Sequence, residues 1–238
     1  MNNNTSDNAS NGASYSECHN YPNDYLYIQF WTTIVVGFSI AVFSFCENGL
    51  LLYLFLTRPR YIRSSYFYLM ILTVFDLLHS VSYSMIMSGS TFIEWSQNIF
   101  FMHLWYAYCI PMFTLSHVVL CASTYLLVAA SVERYLTIYW EKSFSLKERI
   151  LAVLIVIVFS AMSKGTIILE IAVIHRPQCD GLSQYILTRT ELMRNPQYER
   201  YWCFWYRHVI SVFVPIAILI FTNIVIIYNS SPHRSLHR

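Results

Sequence analysis

Charge is scarce in this chain of 238 residues. Only 12% of them are Asp, Glu, Lys or Arg, against about 25% in an ordinary soluble domain. With 56% hydrophobic residues and a mean hydropathy of +0.44, that deficit excludes an ordinary water-soluble fold and indicates a polytopic helical membrane protein. The formal net charge of +2 is too small for a nucleic-acid partner. No Lys or Arg precedes Arg58, so the charged n-region of a cleaved signal peptide is missing. The six cysteines lack a C-x-x-C metal spacing. There is no nucleophile elbow, phosphate loop or H-E-x-x-H, so no enzyme, metal or cofactor is expected. No repeat or linker divides the chain.

What is present is a series of five apolar runs, at about 31–56, 66–89, 105–138, 149–173 and 205–229. About 20 apolar residues cross a bilayer core, so each suits one spanning helix. Arg58, Arg60 and Arg63 follow the first run, and Arg134, Lys142, Lys147 and Arg149 surround the gap after the third. Basic residues collect on the cytoplasmic side, which places the N-terminus outside. Residues 1–30 are Asn- and Ser-rich and read as a disordered extracellular segment, with sequons at Asn3, Asn4 and Asn8. Residues 174–204 read as a long outer loop and 230–238 as a basic cytoplasmic tail.

Polar groups inside the runs are costly at membrane depth and mark function or helix pairing. Asn48 suits a helix–helix hydrogen bond. Asp76 lies mid-run, and Ser123 is placed to approach it. Lys164 is expected to snorkel to the interface. Glu170, six residues on, falls on a different face of an α-helix. Pro215 kinks the fifth run and frees a backbone carbonyl. Cys109 and Arg134 are 25 residues apart, or about 37 Å at the helical rise, so one helix presents them at opposite membrane faces.

A helix with Cys109 at one end and Glu133-Arg134-Tyr135 at the other resembles the third helix of rhodopsin-like G-protein-coupled receptors. Asn48, Asp76 and Pro215 stand at the family's spacings in their own runs. The segment Arg58-Pro59-Arg60-Tyr61-Ile62-Arg63-Ser64-Ser65, and Arg194-Asn195 with Tyr198, Tyr201, Pro215 and Asn223, are similar to the FMRFamide-type neuropeptide receptors of invertebrates. The fold this implies is all-α: five transmembrane helices of a seven-helix bundle, spanning 31–229, in the plasma membrane.

The resemblance implies a disulfide between Cys109 and Cys179, with Cys203 as the competing partner. It implies G-protein coupling through Glu133, Arg134 and Tyr135, with Glu133 holding Arg134 in the inactive state. It makes Asp76 and Ser123 part of a buried sodium site. Ser116, His117, Leu120 and Glu170 become candidate contacts for a peptide ligand.

The chain departs from the family in lacking the fourth-helix tryptophan, in carrying Lys164-Gly165-Thr166 where a proline-bearing segment is usual, in lacking the proline common after Tyr135, and in Asn223 where a tyrosine is usual. Helices six and seven do not follow the fifth run. The form as written is therefore expected not to signal through a heterotrimeric G protein by itself, and to be retained in the endoplasmic reticulum or to pair with other receptors. Two further readings are a truncated receptor form that modulates full-length receptors, and a small ion or proton carrier. Against the carrier, the sequence shows no inverted repeat.

Overall fold

The computed structural model describes Cys18, residues 25–58, Ser64 and residues 66–230. The three sequons, Arg60, Arg63 and the basic tail lie outside the described residues. Among these described residues, five helices are long and apolar enough to cross a bilayer: α1 Leu26–Thr57, α2 Phe67–Ser96, α3 Ile99–Trp140, α4 Leu146–Leu169 and α5 Tyr198–Tyr228. The chain is a multi-pass, all-α membrane protein apart from one small hairpin. The helices match the runs read from the sequence to within a residue or extend beyond them, except that α4 stops at Leu169, short of residue 173.

Local chemistry sets several of the boundaries. The Asn98 side chain accepts from the Phe100 N–H at 2.9 Å and starts α3. Ser145 and Glu148 form a reciprocal capping box at the start of α4, which satisfies two otherwise orphaned N–H groups. Gln97 and Glu141 adopt the left-handed conformation, at φ 54° and 52°, and end α2 and α3. Beyond α4 the apolar stretch continues as strand β1, Ile171–His175, which pairs antiparallel with β2, Tyr185–Arg189. The expected outer loop is thus partly ordered as a hairpin. Isoleucine and valine stiffen at χ1 and suit a strand better than a helix extension, so an apolar run alone overestimates α4.

α3 is the central helix, packing on α2, α4 and α5 while α1 lies against α2. Two apolar clusters stack along it. Near its C-terminal end Leu126 and Ala130 meet Phe67, Tyr68 and Val153. Near its N-terminal end Met102, Trp105 and Cys109 meet Ile93 from α2, with Val173 and Tyr185 of the hairpin against them. The Tyr106 hydroxyl donates to the Tyr185 carbonyl at 3.0 Å and fixes the hairpin on this end.

Helices in a bilayer associate by close packing rather than by a hydrophobic force between them. At the α2–α3 contact a Cβ on Gly89 would stand 2.8 Å from Trp105 Cδ1, whereas one on Gly49 would meet nothing within 4 Å. Gly89→Ala is therefore expected to lower stability by about 1–3 kcal/mol through overpacking. Gly49→Ala should be neutral or stabilising by up to about 1 kcal/mol. Thermal unfolding of both variants in lipid nanodiscs checks the contrast.

Candidate functional site

Two buried ion pairs mark the two ends of the helical bundle. At the Glu133 end, Arg149 Nη2 lies 2.7 Å from Glu133 Oε1, and its Nε lies 3.0 Å from each carboxylate oxygen. Both side chains are buried. Arg149 belongs to the second turn of α4, so this pair locks α4 to α3. The expected Glu133–Arg134 pair is not formed. Successive residues on a helix point about 100° apart: Glu133 faces α4, and Arg134 is exposed. Tyr135 stacks on Tyr139 at 5.7 Å and approaches Phe221 of α5.

Midway along the helices, Asp76 and Ser123 come together, with Oγ and Oδ1 3.5 Å apart. One turn nearer the hairpin, Ser116 contacts His79 Nδ1 at 3.3 Å. Asn48 donates to the Ser44 carbonyl within its own helix at 2.9 Å and to the Ser44 hydroxyl at 3.3 Å, and Ser80 of α2 donates to that same hydroxyl at 3.1 Å. Asn48 thus reaches α2 through Ser44 rather than directly. Pro215 is fully buried, and the turns before it, Val209–Phe213, are wound in the wide π form. In that register the missing proline N–H would have served the Ile210 carbonyl, five residues back. The Tyr125 hydroxyl of α3 donates to that carbonyl instead. The carbonyl that the proline leaves free therefore becomes an α3–α5 contact.

At the hairpin end a cavity of about 600 Å³ opens between α3, α4, α5 and the strands. Trp105, Phe113 and His117 line it from α3, and Lys164 and Ile167 from α4. Leu187 and Arg189 close it from β2, and Arg207 and His208 from α5. The second ion pair forms part of this wall. Glu170, 4% exposed, accepts from Tyr198 at 2.7 Å and from Arg207 Nη1 at 2.8 Å, and Arg207 Nη2 contacts its other oxygen as well. Thr166 accepts from Arg207 Nη2 at 2.7 Å and from Trp202 Nε1 at 3.1 Å. Burial pushes the Glu170 carboxyl up, but the hydrogen bonds from Arg207 and Tyr198 outweigh it and hold the carboxyl below its ordinary value.

The ligand candidates separate on this geometry. His117 and Glu170 border the cavity. Ser116 is committed to His79, and Leu120, 51% exposed, points away from it. Sequence reasoning missed Lys164 and Arg207. Lys164 stands half-buried in the cavity wall. The reason is the winding of residues 165–169, which form a 3₁₀ segment. At three residues per turn, six residues make two whole turns, so Glu170 returns to the face of Lys164. An isolated lysine within an apolar run was the available signal.

The disulfide also differs from the expectation. Cys179 pairs with Cys18, while Cys109 and Cys203 are free thiols. Cys109 is 3% exposed, donates to the Tyr106 carbonyl at 3.6 Å and packs with Met102 and Trp105. Cys179 sits at the hairpin tip, where its N–H meets the Arg176 carbonyl at 3.2 Å. The hairpin meets α3 through Val173 and Tyr185, and its tip carries the bond to Cys18.

Removing one partner of a buried pair strands the other charge. Glu133→Ala should cost about 3–5 kcal/mol, and Arg134→Ala, on an exposed side chain, no more than about 0.5 kcal/mol; chemical unfolding in nanodiscs reads both. Peptide mapping without reductant should recover a Cys18–Cys179 link, and recovery of Cys109–Cys179 would refute the pairing. Comparison with known proteins adds no family: no protein-family model matches the chain, and no curated protein matches it.

Proposed function

We propose that this chain is the first five helices of a rhodopsin-like receptor that binds a peptide from outside the cell and resides in the plasma membrane. The observation that carries the reading is the cavity of about 600 Å³ on α3, α4 and α5, at the opposite end of α3 from Glu133, Arg134 and Tyr135. Cavities of roughly 300–1,000 Å³ with a few polar groups in an apolar wall suit small ligands or one end of a peptide. Buried ionisable groups in spanning segments are functional by default, and the two buried ion pairs among the described residues lie at the two ends of α3. The free, exposed Arg134 then stands where a heterotrimeric G protein would engage, and Asp76 with Ser123 where a sodium ion would sit. The carrier reading draws on Asp76, His79, Ser116 and Ser123, but it gives the cavity no role.

Photo-reactive amidated peptides of the FMRFamide type, applied to intact cells that express the chain with a tag at residue 1, test the proposal. Saturable labelling within residues 105–117 or 164–208, together with a tag stained without permeabilisation, is expected. A tag reached only after permeabilisation of chains at the cell surface refutes the orientation. Labelling that no unlabelled peptide displaces refutes the receptor.

A further inference from the structure

Three cationic side chains, Lys164, Arg189 and Arg207, border the cavity, against one acid, Glu170. That acid is already occupied, because its oxygens accept from Tyr198 and from both terminal nitrogens of Arg207. A cation entering the cavity finds no free carboxylate. Arg189 is likewise committed, to Glu199 at 3.0 Å, where both groups are exposed and weakly coupled.

One cationic side chain remains. Lys164 is half-buried, and among the described residues its ammonium makes no hydrogen bond or ion pair, although it has three donors to place. Arg207 Nε has no exposed surface, so a ligand in the cavity does not reach it. An unpaired ammonium beside an apolar surface is expensive at membrane depth. An anion in the cavity satisfies it through charge-assisted hydrogen bonds of the stronger kind. Trp105, Phe113 and Ile167 provide apolar surface beside it.

We propose that the cavity is an anion subsite in which Lys164 holds a carboxylate of a peptide ligand whose neighbouring side chains are aromatic or aliphatic. The word peptide rests on the proposed receptor function. The preference for an anion rests on the cavity alone.

The carboxylate can belong to an acidic side chain or to the peptide's C-terminus, and four fluorescent tetrapeptides separate the sources: Tyr-Leu-Glu-Phe-amide, Tyr-Leu-Gln-Phe as the free acid, Tyr-Leu-Gln-Phe-amide and Tyr-Leu-Lys-Phe-amide. Binding to the full chain in nanodiscs is read by fluorescence polarisation. At least one of the two acidic peptides should bind about 10-fold or more tightly than the neutral amide, and Tyr-Leu-Lys-Phe-amide should bind most weakly. The anion preference should fall to less than about 2-fold in Lys164→Gln and return in Lys164→Arg. It should persist in Lys147→Gln, which removes an exposed lysine at the far end of α4. Thermal midpoints within a few degrees of the parent show that the variants fold. A neutral or lysine peptide binding as tightly as both acids overturns the anion subsite while leaving the peptide-receptor reading intact. A preference that survives Lys164→Gln also overturns it. Absence of saturable binding by all four peptides counts against both.

Discussion

A charge that cannot reach water must find its opposite, and this requirement organises the helices. Glu133 with Arg149 and Glu170 with Arg207 are the two buried salt bridges among the described residues. The first joins α3 to α4 and the second joins the end of α4 to α5. Neither arrangement gains much from Coulomb attraction alone, since desolvation offsets most of it. Their effect is one of register: an α4 shifted along or rotated about its axis would strand two charges at once. Apolar packing in lipid offers no comparable discrimination, because lipid tails match a leucine surface as well as another helix does.

The same economy of partners explains the fifth helix. Proline removes one donor from the backbone ladder, and an orphan carbonyl in lipid is expensive. Widening the preceding turns moves the orphan to Ile210, where a tyrosine hydroxyl from α3 meets it. Asn48 follows a parallel course on α1, where a polar side chain is satisfied locally and passes the interhelical contact to the smaller Ser44.

Spanning segments were legible in the sequence because the bilayer imposes a length and a polarity that composition records directly. Asp76 and Ser123 were also legible as neighbours, since helical phase alone brings them level. Features that depend on departures from ideal winding were not. Lys164 and Glu170 lie about 120° apart on an α-helix and coincide only on a tighter one. The partner of Glu133 was misread because a sequence triplet suggests the adjacent Arg134, whereas the helix turns adjacent residues apart and Arg149 arrives from another element. Disulfide pairing depends on where a hairpin tip lies, and no spacing encodes that. Arg207 stands near the start of the fifth apolar run, and only the beginning of α5 at Tyr198 sets it a full two turns inside the helix.

The tight segment Gly165–Leu169 has one more effect, on depth. A 3₁₀ turn rises about 2.0 Å per residue against about 1.5 Å for an α-helix, so five residues advance roughly 2.5 Å further along the axis. Glu170 therefore stands that much closer to the aqueous boundary than continuous α-winding would place it, while still facing inward. The segment acts as a spacer with two settings, one for angle and one for height, and both are carried by its residue count. Side chains along it can vary widely without altering either, whereas inserting or deleting a single residue would change both together.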